Sequence, residues 1–443
     1  MSNSQIPLNL LTVTEMEIQR LYSDSALTAV SLVQSILTLI EKHNEAGLGL
    51  RALLSVVPHA DILERARRLD EELSQGKSHG PLHGIHFTVQ DSIATHPNLG
   101  IDTTAGSVAL VGSRPRKNAT VVDRTPGGSS SGSADDVSAG FAIVSLGAET
   151  VGSMVAPASR ASLYALKPTV GTIPIDGVVP IAKSLDSVGG MARSPEDLAL
   201  VTEVITNYSA LQPAGYLIGM TGKWDGIRLG FLDESLWKLP DFLCEFNSEA
   251  LGQMDEGYHA AMGVLRGHGV HIQYPVIIPR AEDVWPSLVK IMQEHEFHPS
   301  INEYLQDLEH SKVHSLEELV EYNREHADLE LPPEFPSQSS LENSLNDNIT
   351  TAENQRTLTE HNLDAIAVLT DSPLSSLASA AGYPTCTMPL GVLGLNGRPF
   401  GMSFVAKAHQ EARLFRIMSA WHSTFQRYAP SALDEDAILS SLA

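Results

Sequence analysis

Apolar residues first recur at helical spacing between positions 12 and 75. Thr14 and Glu17 stand as a capping box, and Leu27, Val30, Val33, Leu37 and Ile40 fall three or four residues apart on one face. A second amphipathic stretch covers 59–75 and stops before the loop holding Gly76 and Gly80. The period then changes. In Ile85-His86-Phe87-Thr88-Val89-Gln90 apolar and polar side chains alternate, which predicts a strand with His86, Thr88 and Gln90 on one face. Residues 125–133 (TPGGSSSGS) predict a loop, and the small apolar stretch 134–147 a buried helix running into a strand. Ser194-Pro195-Glu196-Asp197 supplies an N-cap, a proline at the first helical position and first-turn acids, so a helix starts there. Residues 207–330 alternate strand-like segments, such as 227–231, with helix-like ones. Positions 332–356 are polar and proline-rich, a surface excursion. Strand-like runs return at 365–369 and 385–390, followed by a helix at 409–427. No internal repeat is present. The pattern predicts an α/β fold, a mixed central sheet flanked by helices.

The chain has 443 residues, 42% of them apolar, enough for one large α/β domain or two ordinary ones. Its 29 basic and 53 acidic residues leave a net charge of −24. A surface that acidic repels phosphate backbones and anionic lipid heads, so neither nucleic acid nor membrane is an expected partner; solubility is its plain use. Cys244 and Cys386 are far apart and build neither a disulfide framework nor a metal knuckle. The first residues lack the charged and apolar regions of a signal peptide, and no apolar run approaches the ~18 residues needed to span a bilayer. A soluble, cytoplasmic chain is expected.

The run Gly127-Gly128-Ser129-Ser130-Ser131-Gly132-Ser133 has three readings. One is a flexible linker. As a phosphate cradle it fails, because no Gly-Lys-Ser/Thr follows. Gly128-Ser130-Gly132 matches a nucleophile elbow, but Asp123-Arg124-Thr125-Pro126 stands where the elbow's hydrophobic strand belongs.

The wider context decides. Downstream stand Gly147-Ala148-Glu149-Thr150-Val151-Gly152-Ser153, then Ala156-Pro157-Ala158-Ser159, then Leu166-Lys167-Pro168-Thr169-Val170-Gly171. With GGSSSGSA these pieces resemble the signature of the amidase signature family of serine hydrolases. The resemblance extends outward to Pro81-Leu82-His83-Gly84-Ile85, Thr103-Thr104-Ala105-Gly106-Ser107, Gly177-Val178-Val179-Pro180, Asp186-Ser187-Val188-Gly189, Ala381-Gly382-Tyr383-Pro384 and 399–404. It implies the amidase signature fold over nearly the whole of residues 1–443 as a single domain. The signature core would lie at about 80–205 and a variable, substrate-side region at 205–375. It also implies a Ser–cisSer–Lys catalytic unit. Ser153 would then be the nucleophile and Ser129 the bridging serine, held through a cis peptide bond. The backbone N–H groups of Thr150, Val151, Gly152 and Ser153 would form the oxyanion hole, with Gly128 and Ser130 on the substrate side. No cofactor and no metal is implied, the expected partner is a small amide or acyl substrate, and a homodimer stays open.

Two departures stand out. The family's base is a lysine in a strand ending Val-Lys-Asp; here Thr88-Val89-Gln90-Asp91 puts Gln90 at that position. A carboxamide can orient a serine by hydrogen bonding but cannot accept its proton. Loss of general-base help costs roughly 10²–10⁴ in rate. The resemblance also passes straight from Val122 to Asp123, where the family carries a further strand–helix segment beside the active site. Smaller changes are Val151 and Ala156 at positions usually held by other residues. No substitute base is evident. His86, on the same strand face, lies ~13 Å from Gln90 at ~3.3 Å per residue and reads as a rim histidine. Lys167 and Lys183 match no base position. His295 and His298 lack a third metal ligand, and Asp135-Asp136 read as solvated first-turn acids.

The inherited reaction is hydrolysis of a carboxylic amide or ester through an acyl-Ser153 intermediate. Three outcomes remain open from sequence: a working hydrolase with a replacement base, a scaffold turned to cyclisation or condensation of acyl or carbonyl groups, and a non-catalytic binding protein.

Overall fold

The computed structural model describes residues 8–124, 130–206, 215–239, 247–278, 288, 291–345 and 363–433. At its start the capping box forms as the sequence predicts. The Glu17 N–H donates to Thr14 Oγ1 at 3.2 Å and the Thr14 N–H to Glu17 Oε2 at 2.9 Å, which opens α1 (Glu15–Ser23). Thr28 caps α2 (Ala29–His43), whose Leu32, Val33, Ile36, Leu37 and Ile40 are buried. Helix α3 (His59–Ser74) packs on α2, and Asp70 accepts the N–H groups of Ala29 and Val30 at 2.7 and 3.1 Å. A carboxylate there meets the positive end of the α2 dipole.

In chain order the described strands are β1 (Phe87–Val89), β2 (Arg114–Pro115), β3 (Val144–Glu149), β4 (Tyr164–Lys167), β5 (Ser187–Ala192), β6 (Arg228–Leu232), β7 (His271–Val276), β8 (Leu308–His310), β9 (Ala365–Leu369), β10 (Thr385–Val392) and β11 (Pro399–Val405). Nine form one sheet in the order β1-β3-β5-β4-β10-β11-β9-β6-β7, and β2 pairs with β8. The sheet is mixed. β1 runs parallel to β3, and β6 runs parallel to both β7 and β9, while the pairs between β3 and β9 are antiparallel. Strands β4, β5 and β9 are buried throughout, so they read as near-continuous apolar or small runs.

Helices cover both faces. A Cβ on Gly189 would meet Met154, and one on Gly190 would meet Leu198 and Val201. Successive strand residues point to opposite faces. After the short α4 (Thr120–Arg124), helices α5 (Ser130–Ser138) and α6 (Val155–Arg160) therefore lie on one side of the sheet and α7 (Pro195–Ile205) on the other. Ser194 caps α7 as expected, accepting the Asp197 N–H at 3.1 Å. A smaller cluster joins Ala109 and Leu110 to Ile301, Leu305, Leu316 and Val320, beside the β2–β8 pair. The strand expected at 85–90 is shortened to β1, and the final helix expected at 409–427 spans Glu411–His422. No described helix is long and apolar enough to cross a membrane.

Two expectations are corrected. Residues 130–133 are the first turn of α5, not loop. Contacts outweigh their weak helix propensity. The Ser133 hydroxyl donates to the Leu146 carbonyl at 3.2 Å, and Gly132 packs so closely on the Ala52 carbonyl that no larger residue fits. Asp136 is also not solvated. It is 1% exposed, and burial pushes its carboxyl well above the usual range, whereas Asp135 is exposed.

The junction of α1 and α7 carries a pH prediction. Burial pushes Glu15 up to about 7, with the charge of Asp197 adding to it. Burial likewise pushes Asp197 up to about 7, against the pull of Arg193. Unfolded carboxylates release their protons near pH 4, so between about pH 4 and 7 the folded chain holds protons that the unfolded chain has lost. Stability from these groups is complete below that window and falls as pH rises through it. The melting temperature is expected to drop from pH 5 to pH 7.5, and less so in Glu15→Gln. An equal drop in that variant would refute the assignment.

Candidate active site

The site forms where β1 and β3 end side by side. The Gln90 N–H makes the last bond between them, to the Leu146 carbonyl at 3.1 Å. Gln90 Oε1 then accepts two hydrogen bonds, one from the Ser130 hydroxyl and one from the Ala148 N–H at 2.5 Å. Ser130 is buried, and its Oγ lies 3.3 Å from the Ala148 carbonyl. Space for that hydroxyl depends on Gly147, since a Cβ there would sit 2.8 Å from Ser130 Oγ. Ser129 and Gly128, expected as bridging serine and substrate contact, lie outside the described residues.

From β3 the chain turns through Thr150, Val151, Gly152, Ser153 and Met154 into α6. Gly152 has φ +88°, and a Cβ there would meet Ser375 Oγ at 2.9 Å, so glycine is required. Glu149 holds the turn from inside: its Oε2 accepts the N–H groups of Met154 and Val155, each at 2.9 Å. Burial pushes the Glu149 carboxyl up, opposed by Lys167 and by the amides of Val155, Met154 and Gly152. Thr150 is tied at the other end, donating to Asp186 Oδ1 at 2.5 Å, while Asp186 Oδ2 accepts from the N–H groups of Ile181 and Ala182. Ser153 comes out exposed, with no described partner for its hydroxyl. No described residue takes the N–H of Thr150, Val151 or Ser153. The Gly152 N–H faces Glu149.

Asp91 is engaged elsewhere. Its carboxylate accepts from the Thr104 N–H at 2.9 Å, the Thr104 hydroxyl at 2.5 Å and the Gly106 N–H at 3.2 Å. His86 is half-buried, and burial holds its imidazole down to about 4, so it is neutral at pH 7. Lys183 is a surface partner of Glu303 at 2.5 Å. Lys167 is fully buried beneath the turn and lowered by burial, against the pull of Glu149, Asp186 and Glu411; its Nζ has no described hydrogen-bond partner. His298 lies 3.3 Å from Glu317, and His295 joins no described ligand group. Among the described residues, Glu72, His79 and His83 bring ligand-type atoms within 4.8 Å of one another. The His83 nitrogens are already engaged by the Leu69 carbonyl at 3.0 Å and the His79 N–H at 3.3 Å.

Sequence reading missed the Glu149 brace, the Asp186 tie and the Ser130–Gln90 bond. All these residues stand inside or beside the motif pieces. Which hydroxyl meets Gln90 depends on how α5 enters, which spacing does not show.

Comparison with known proteins places this geometry. The amidase family profile matches residues 32–124 and 122–330, two stretches that meet at the position where the sequence reading finds a skipped segment. A Schizosaccharomyces pombe protein named as a putative amidase is 28% identical, the match covering 93% of this chain and 85% of the relative. That alignment runs over 511 positions, far more than this chain supplies. An Arabidopsis thaliana protein named as a probable amidase is also 28% identical, over 91% of this chain and 88% of its own length. The crystal structure of a peptide amidase from Stenotrophomonas maltophilia superposes with a TM-score of 0.80 at 27% identity, over 94% of this chain and 98% of that one.

Proposed function

The chain belongs to the amidase family, and on that premise we propose that it forms an acyl-enzyme at Ser153 from a small carboxylic amide or ester, with slow turnover. One observation carries this reading: the acceptor opposite the Ser130 hydroxyl is the neutral oxygen of Gln90, already holding two donors. Such an oxygen orients a hydroxyl but takes no proton at physiological pH. Ser153 attacks with its turn held open by Glu149 and Asp186. The N–H groups of Thr150, Val151 and Ser153 are the donors left for a developing oxyanion, each of the kind worth about 10²–10³ in rate. Ser130 serves this reading as the partner of Gln90. Residues 205–375 supply the specificity, and the charge of Lys167 opposes the upward push of burial on Glu149.

A fluorophosphonate probe tests the reading. Weak labelling that disappears in Ser153→Ala is expected, together with slow release of p-nitroaniline from simple anilides. Turnover at ordinary amidase rates would defeat the slow-base argument. Labelling that persists in Ser153→Ala would defeat the assignment of the nucleophile. An inert serine in a protein that still converts an acyl or carbonyl metabolite would favour cyclisation or condensation on the same scaffold.

A further inference from the structure

The last turn of α3 and the loop that leads into β1 bring three ligand-type side chains together, apart from the residues of the Ser153 turn. Glu72, His79 and His83 each place one ligand atom within 4.8 Å of the others. Zinc holds imidazole nitrogens and carboxylate oxygens at about 2.0–2.2 Å, so tetrahedral ligands stand roughly 3.4 Å apart. The cluster is a side-chain adjustment away from that geometry.

His83 is the anchor. It is 4% exposed, and its backbone is fixed from α1, where Gln19 Nε2 donates to the carbonyls of Pro81 and His83 at 2.6 and 2.9 Å. Its ring Nε2 lies 3.0 Å from the Leu69 carbonyl. A carbonyl only accepts, so Nε2 carries the proton and Nδ1 the lone pair. Metal-binding histidines are held this way, their second ring N–H on a carbonyl or carboxylate that fixes tautomer and orientation. The Nδ1 lone pair meets the His79 N–H at a long 3.3 Å, and His79 is an exposed loop residue whose amide can turn to water instead. The two outer ligands are free to adjust. His79 Nε2 and Glu72 Oε2 stand 2.8 Å apart on side chains 67% and 38% exposed. The His79 and His83 rings stack with 5.4 Å between centroids and 16° between planes. Rings so nearly parallel cannot both aim an in-plane lone pair at one ion, so His79 turns its ring on binding.

We propose that Glu72, His79 and His83 Nδ1 bind one zinc ion, which clasps the end of α3 to the loop entering β1. Two imidazoles and a carboxylate, with a water in the fourth position, are a zinc coordination set. Magnesium and calcium take oxygen ligands, so the two histidines select against them. The clamp acts on the fold and takes no part in the chemistry proposed for Ser153.

Titration calorimetry of the full chain with zinc chloride, in excess magnesium, tests this. The tightest zinc ion is expected at one per chain. His79→Ala and Glu72→Gln, both at exposed side chains, should each weaken it at least tenfold, the scale of losing even a supporting group at a metal site. Binding should persist in Ser153→Ala and in His298→Ala, although His298 also faces a glutamate, Glu317, at 3.3 Å. Zinc should raise the melting temperature of the native chain more than that of His79→Ala, because only the folded chain assembles the site. Undiminished affinity in His79→Ala or Glu72→Gln would mean an adventitious ion elsewhere and overturn the proposal. So would loss of binding in Ser153→Ala or His298→Ala, no binding in excess magnesium, or equal melting shifts in native and His79→Ala chains.

Discussion

Gln90→Lys is expected to raise kcat/KM for a simple anilide by about 10²-fold, the low end of what a positioned general base contributes. The amine would stand where the Gln90 oxygen now meets the Ser130 hydroxyl and the Ala148 N–H. A donor aimed at the amine and the partial burial of the position both favour the neutral form, which lowers the lysine pKa toward the working range. The gain should appear with a pH–rate limb absent from the native chain. Gln90→Met, which removes the carboxamide without adding a base, is the control and should show no gain. If lysine is no faster than methionine, a missing base is not what slows this protein. Restoration is expected to be partial. On the reading that a segment beside the site is skipped between Val122 and Asp123, substrate positioning stays imperfect. Positioning can matter as much as proton transfer.

Glu149→Ala is expected to cost about 2–5 kcal/mol of folding stability, roughly 1–3 for each of the two buried N–H groups left without an acceptor. Glu149 is 1% exposed and Lys167 fully buried. The substitution frees the N–H groups of Met154 and Val155 at the start of α6 and removes a buried carboxylate whose charge acts on Lys167. The Ser153 turn should loosen with it. Urea unfolding measures the loss, and a double-mutant cycle with Lys167→Met separates the causes. If the effect on Lys167 dominates, Lys167→Met recovers much of the loss in the Glu149→Ala background. If the freed amides dominate, recovery is small and fluorophosphonate labelling at Ser153 stays depressed. A loss below about 1 kcal/mol, less than one buried donor left unpaired, would show that Glu149 does not hold this turn.

Much of the framework was legible in the chain. The capping box at Thr14, the N-cap at Ser194 and strand β9 appear where local signals put them, because caps and short apolar runs are written in neighbouring residues. The ordered motif pieces also placed Gln90 and the Ser153 turn in one family scaffold. Other features were hidden. Residues 130–133 read as loop because glycine and serine are poor helix formers, yet contacts with Leu146 and Ala52 make them helical. Asp136 read as a solvated acid because a pattern of one element does not reveal what packs over it.

By itself, then, the sequence determined the α/β class, the family and a carboxamide at position 90, since each is written in residue identity and short-range order. Tertiary structure alone decided that Ser130 meets Gln90 and that Glu149 and Lys167 are both buried at the Ser153 turn. Those outcomes depend on distances between segments far apart in the chain, which packing sets and local pattern does not encode.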